Sequence, residues 1–275
     1  MADVSILMYV TSLTAPCASG SYNPNRSAMS PGVRSFNTMQ KIETYTKESY
    51  LRLLLMGAPG TGKTTLSCHF PGSYIADCDI NLAGPLRYLS SHNGTLPMGY
   101  DLIDRDEFGM EIDPSLRYQR LGKCLNVAIK DPGVETIVVD SATKLSDYII
   151  AEVLRQQGKK EMSIQLWGLY LALWKHFIGQ LTAQRKHIVL IAHERVEKDE
   201  IDMSMKYFVM IPGQMSNIIG SLFTDVWRCE VESAGVPPTY SWNVRTMPDR
   251  RYALKNSLGL PPLFKFNWDL IKSKL

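Results

Sequence analysis

The stretch GAPGTGKTT, residues 57 to 65, follows directly on the apolar run LRLLLM. Gly57, Gly62, Lys63 and Thr64 complete the spacing G-x-x-x-x-G-K-[ST]. Glycines at Gly57, Gly60 and Gly62 let the segment through Ala58, Pro59 and Thr61 bend so that several N–H groups face inward on phosphate oxygens. A helix beginning near Lys63 adds partial positive charge at its N-terminus. Lys63 then reaches the β- and γ-phosphates, the Thr64 hydroxyl is placed for Mg²⁺, and Thr65 closes the cradle. Such a loop binds a nucleoside triphosphate. Kinases, motors, switches and recombinases all use one, so its purpose has to be read from the rest of the chain.

Magnesium in such a site needs a second carboxylate. TIVVDS places Asp140 at the end of a β-branched strand, where an open α/β sheet gathers its functional groups. Asp140 also suits the cap of the following helix, and the two roles can coexist. Many AAA+ ATPases and helicases have Asp-Glu here, the Glu polarising water. This chain has Asp140-Ser141, so the carboxylate that activates water must come from elsewhere.

The elements that position these groups alternate along the chain. YLRLLLMG reads as a buried strand, KTTLSCHF opens a helix, SYIADCD is a second strand, and LAGPLRYLS turns helical. TIVVD is a central strand followed by a helix near residues 142–156. The next helix carries Trp167, Leu171, Trp174, Ile178 and Leu181 as an apolar stripe. HIVLIAH is another buried strand, and MSNIIGSLF a short helix. DVWRCEV, YSWNVRTM and RYALKN then alternate as strands. This order predicts an α/β fold, doubly wound around a mostly parallel sheet with helices on both faces and C-terminal antiparallel strands. Residues 14–35 are rich in Ser, Pro, Gly and Asn with no apolar period. Residues 1–46 are therefore expected to be a flexible segment, an oligomerisation arm or a disordered tail, with the core at 47–275. Phe36, within SFNTM, offers an aromatic that could dock on a neighbouring subunit.

The chain is 275 residues long, with Lys+Arg 30 against Asp+Glu 27 and a formal net charge of +3. This balance permits nucleic-acid contact from a local patch without announcing it. The five cysteines (Cys17, Cys68, Cys78, Cys124 and Cys229) form no CxxC pair, which suits a reducing compartment, and Cys68-His69 with Cys78 matches no common zinc spacing. No apolar run reaches membrane-spanning length, and MADVSILMYVTSL lacks a basic flank. A cytoplasmic location is expected.

Over residues 50–272 these motifs resemble the RecA-like P-loop NTPase core. More narrowly, DINLAGPLRYL, VVDSATKL, IAHE and LKNSLGLP resemble phage-encoded RecA-like ATPases of the Sak group, which work with single-strand annealing proteins. The resemblance implies ATP and Mg²⁺ as cofactors and catalytic roles for four residues. Lys63 and Asp140 keep theirs. Asp79 falls where the family has a water-activating Glu, one methylene shorter, and His193 stands at the strand end where a Gln usually senses the γ-phosphate. Lys255 aligns with a lysine that enters the neighbour's ATP site, with Arg250 and Arg251 close by as further trans cations.

Two loops of such a core hold single-stranded DNA. Here they would be residues 157–164 and 194–213, offering Arg155, Lys159, Lys160, Lys198, Lys206, Tyr207 and Phe208. The second loop is net acidic, which counts against it. The implied activity is ATP-dependent binding of single-stranded DNA with strand annealing or exchange, as a head-to-tail filament or ring, with an annealing or binding protein as further partner. Two alternatives stay open: a KaiC-like nucleotide-switch hexamer without a DNA role, and a ring helicase core.

Overall fold

The computed structural model describes residues 50–200 and 203–275, and the expected arm at 1–46, its Phe36 and the boundary at residue 47 lie outside them. Nine strands are found among the described residues: β1 (Arg52–Gly57), β2 (Ser73–Asp77), β3 (Gly99–Leu102), β4 (Thr136–Asp140), β5 (His187–Lys198), β6 (Met205–Val209), β7 (Asp225–Ala234), β8 (Thr239–Arg245) and β9 (Leu263–Lys265). Their order is β3-β2-β4-β5-β1-β7-β8-β9, with β6 attached to β5. The pairs from β3 through β7 along this order are parallel, while β5–β6, β7–β8 and β8–β9 are antiparallel. This is the doubly wound α/β core expected from the sequence.

Buried, β-branched or leucine-rich strands form the centre because both faces are covered. On one face Leu53, Leu55, Ile75, Val138, Val189, Ile191 and Trp227 pack with Leu66 and Cys68 of α1 (Lys63–Cys68) and with Phe70. Leu89 of α2 (Ala83–Ser91) and Ile271 of α7 (Trp268–Lys272) join that cluster. Alternation along the strands sends Leu54, Val139 and Leu190 to the other face. There α3 (Arg117–Lys130) contacts β2 and β4, and α4 (Ala142–Gln157) contacts β5 and packs with α5 (Ile164–Thr182). A short α6 (Met215–Ile218) leads into a 3₁₀ turn at Ile219–Leu222.

Three expectations are corrected. RYALKN is not a strand. The Asp249 carboxylate accepts the backbone N–H groups of Arg251 at 2.6 Å and Tyr252 at 3.1 Å, which turns the chain out of the ladder. Only the bridge between Val226 and Lys255 remains. Residues 194–213 are largely a hairpin instead of a loop, because Val196, Tyr207, Phe208 and Val209 favour strands and Glu197 stands opposite Lys206. The buried seam of α5 is Leu166, Tyr170, Leu173, Trp174, Phe177, Ile178 and Leu181, so Trp167 lies off the stripe.

Trp227 is fully buried in the cluster beside α1. Trp227→Ala is expected to cost about 3–5 kcal/mol of stability, measured as a lower urea midpoint at unchanged slope.

Candidate nucleotide site

The phosphate loop leaves β1 at Gly57, whose register partner on β5 is His193. A Cβ on Gly57 would stand 2.5 Å from the Cys229 carbonyl oxygen and 2.8 Å from Thr61 Oγ1, so a side chain there would push the loop off β7. Gly62 enters α1 at φ 83°, a left-handed turn that aims the following N–H groups at one point. Thr61 Oγ1 donates to the Ala58 carbonyl at 2.8 Å and holds the loop's shape. The Lys63 ammonium donates to the carbonyls of Gly57 at 3.0 Å and Ala58 at 2.8 Å, and burial lowers its pKa.

Thr64 Oγ1 donates to Asp140 Oδ2 at 2.6 Å. Burial pushes the Asp140 carboxyl up to about 6, with the Thr64 hydrogen bond opposing the shift. A hydroxyl and a buried carboxylate are hard oxygen donors, and no larger cluster of metal-ligating side chains occurs among the described residues. Magnesium suits such a set, since it takes few protein ligands and completes its shell with phosphate and water. The residues therefore fit Mg²⁺ and a triphosphate. Thr64 and Asp140 would hold the metal, which neutralises phosphate charge when bound.

Asp79 reaches the site through a turn built by Asp77. The buried Asp77 carboxylate accepts the N–H groups of Asp79 and Leu82, each at 3.1 Å, and burial raises its pKa. Ile80 follows at φ 54°, a left-handed conformation that is costly for a β-branched residue. The turn brings Asp79 Oδ2 to 3.2 Å from His193 Nε2. The two side chains that the resemblance implicates in water activation and γ-phosphate sensing thus form one hydrogen-bonded pair. The strand order β2-β4-β5 brings them together across the sheet.

A cavity of about 790 Å³ extends from His193 over the loop. Asp140 and His193 line one end, and Tyr88, His92, Trp242 and Phe266 line the remainder. The Tyr88 and His92 rings stack at 4.3 Å, and Phe266 lies 5.1 Å from His69. Polar and cationic at the phosphate end and aromatic beyond it, the cavity matches a nucleoside triphosphate. Sequence reading missed all four aromatics. The i, i+4 spacing of Tyr88 and His92 on α2 was the available signal, whereas Trp242 reaches Gly62 only because β7 and β8 fold back as a hairpin.

The remaining candidates lie elsewhere. Lys255 Nζ donates to the Phe223 carbonyl at 3.0 Å, and its backbone pairs with Val226, away from its own chain's loop. Arg251 pairs with Asp249 at 3.2 Å and lies over the Tyr252 ring. Arg155 is held by Glu152 at 2.7 Å, Lys206 by Asp199, and Phe208 lies under the Arg195 guanidinium. Tyr207 packs on Tyr252 at 4.7 Å with Arg228 over both rings. Lys159, Lys160 and Lys198 are exposed. Also unforeseen is the bidentate pair of Arg228 with Glu194, 2.8 Å on each arm, one residue beyond His193.

Loop, metal-side carboxylate and strand order together define a P-loop NTPase with a RecA-like core. The chain belongs to the AAA domain family, matched over residues 49–258, and is an ATP-hydrolysing enzyme. Similar solved structures include a KaiC-like protein from Pyrococcus horikoshii OT3, 14% identical with a TM-score of 0.37 over 79% of this chain and 90% of that one. Another is the flagellar accessory protein FlaH from Methanocaldococcus jannaschii, 14% identical with a TM-score of 0.35 over 74% and 82%. No curated protein matches. No described helix is long and apolar enough to cross a membrane.

Magnesium and a proton compete for Asp140. The affinity for Mg²⁺-nucleotide is expected to be full above about pH 6 and to fall as pH drops through it. Titration with a fluorescent nucleotide on either side of that pH checks this, and Asp140→Asn should flatten the dependence. Asp79→Asn is expected to lower kcat about 100-fold or more while leaving nucleotide Kd within about threefold, measured by steady-state turnover and equilibrium binding.

Proposed function

We propose that this chain is an ATP-dependent, self-assembling machine of the phage recombinase type that binds single-stranded DNA and promotes annealing or exchange, working in the cytoplasm beside a single-strand annealing or binding protein. The observation that carries this reading is the continuity of β5. It runs as one strand from His193, beside Asp79, into the hairpin with β6. A change at the γ-phosphate therefore has a rigid route to a projecting element that can grip a polymer.

Catalysis in this reading is positioning plus charge stabilisation. Lys63 faces the β- and γ-phosphates, Asp79 orients the attacking water, and His193 registers whether the γ-phosphate is present. The location of Lys255 and Arg251 away from their own chain's cavity supports a role on the neighbouring subunit. A heterologous contact of that kind builds rings or filaments.

A second reading, a KaiC-like nucleotide switch without a DNA role, is favoured by the internal pairing of Lys206, Arg155 and Arg251 with carboxylates of the same chain. One experiment separates the readings: ATP turnover with and without single-stranded DNA, with electron microscopy of the same samples. Stimulation with filaments or DNA-bound rings supports the first; rings with unchanged turnover support the switch. DNA unwinding would indicate a ring helicase.

Lys63→Ala is expected to abolish ATP-dependent assembly on single strands; persistence of assemblies in negative stain would refute it. Lys255→Ala should keep nucleotide binding by the monomer and lose DNA-stimulated hydrolysis. Equal turnover in mutant and wild type would exclude the trans role.

A further inference from the structure

Trp167 is the one member of the expected α5 stripe left 37% exposed, while Trp174, four residues from Tyr170 on the same helix, is fully buried. Its position is nevertheless fixed. Its indole packs edge-on against Tyr170 at 5.3 Å and 81°. The Tyr170 hydroxyl shares a 2.5 Å hydrogen bond with Ser146 of α4 and donates to the Pro212 carbonyl at 3.4 Å. Gly213, at φ 68°, passes so close that a Cβ there would lie 3.7 Å from the ring.

The indole thus lies against Gly213 of the segment 210–213 after β6, on the helix that residues 158–163 lead into, with the Trp167 backbone N–H donating to the Ser163 carbonyl at 3.3 Å. The segment after β6 is tied to the nucleotide site, because the Met210 N–H donates to the His193 carbonyl at 2.8 Å. The lead-in segment carries Lys159 and Lys160, both exposed, against Glu161. Ile164, one turn before Trp167, is 89% exposed.

A fixed, partly exposed aromatic ring on a helix whose lead-in segment carries two exposed lysines suits a ligand that is planar and apolar in one part and anionic in another. From this we infer that Trp167 is a stacking platform for a base of a single-stranded nucleic acid, with Lys159 and Lys160 taking the adjoining phosphates. The inference rests on the nucleic-acid reading above and supplies the contact that the paired Arg155 and Lys206 do not. Stacking requires no particular base, because every base has a π-face. The link through Met210 ties the platform to the residue that faces the γ-phosphate.

The test uses the full chain with a non-hydrolysable ATP analogue and labelled oligothymidine, read by fluorescence anisotropy across a salt series. Trp167→Ala should weaken binding roughly tenfold or more without changing the slope of log affinity against log salt, since stacking releases no counterions. Replacing Lys159 and Lys160 together by Ala should reduce that slope by about 1.4. Oligothymidine should quench tryptophan emission in the wild type and fail to do so in Trp167→Phe, a variant that keeps an aromatic ring at the site. Wild-type affinity in Trp167→Ala, or undiminished quenching in Trp167→Phe, overturns the inference and leaves the functional reading standing. A change in oligomeric state on light scattering, with DNA affinity unaltered, also overturns it and assigns the face to a subunit contact. A wild-type protein that binds no oligonucleotide overturns both.

Discussion

The Asp140 carboxyl group loses its water on folding and receives one hydroxyl in return. Everything at the C-terminal end of the sheet is arranged around that imbalance. The Thr64 hydroxyl reaches Asp140 only because Gly62 turns left-handed into α1, and Gly57 permits that turn only because nothing but hydrogen separates it from β7. Lys63, folded onto the carbonyls of its own loop, supplies a nearby positive charge without forming a direct ion pair. A buried acid and a buried ammonium each resist ionisation, so holding both is electrostatically costly, and a divalent cation with phosphates relieves that cost. The affinity for nucleotide is thus prepared by the desolvation that the parallel sheet imposes.

On the opposite face of β1 the chemistry is different. Arg228 and Glu194 clasp across the strand, Glu230 bridges Arg228 to Arg245, and Tyr207 and Tyr252 cover the guanidinium. Charge here is paired and roofed by aromatic rings. One face of the strand is therefore prepared for a ligand, while the other is locked by internal partners. The lock holds β5, β1 and β7 together where the phosphate loop begins.

Local spacing made the loop legible: four residues in eight positions specify it, and a strand-end Asp in an apolar run specifies its partner. The broad fold followed from strand and helix periods. What stayed hidden depended on distance along the chain. The contact between Asp79 and His193 spans 114 residues and exists only through the strand order. Trp242 depends on a hairpin that folds back to Gly62, and no local pattern encodes that. RYALKN misled because its apolar alternation is real, yet a single carboxylate at the turn, that of Asp249, captures the backbone donors first. Trp167 misled for a related reason, since a helical stripe has edges and the sequence does not say where its neighbours stop.

His193 is also the last rung that joins β5 to β1, and Ile191 the last that joins it to β4. Beyond them, among the described residues, β5 is paired to β6 alone. Sliding β5 lengthwise would break ladders on both flanks at once. Swinging the two-stranded ribbon about the His193 rung would break other ties, since Arg228 clasps Glu194 and the Tyr207 N–H donates to the Arg251 carbonyl at 3.0 Å. The fold thus makes His193 the point where β5 passes from sheet ladders on both flanks to a ribbon held by side chains, with Met210 bonded to its carbonyl at that point.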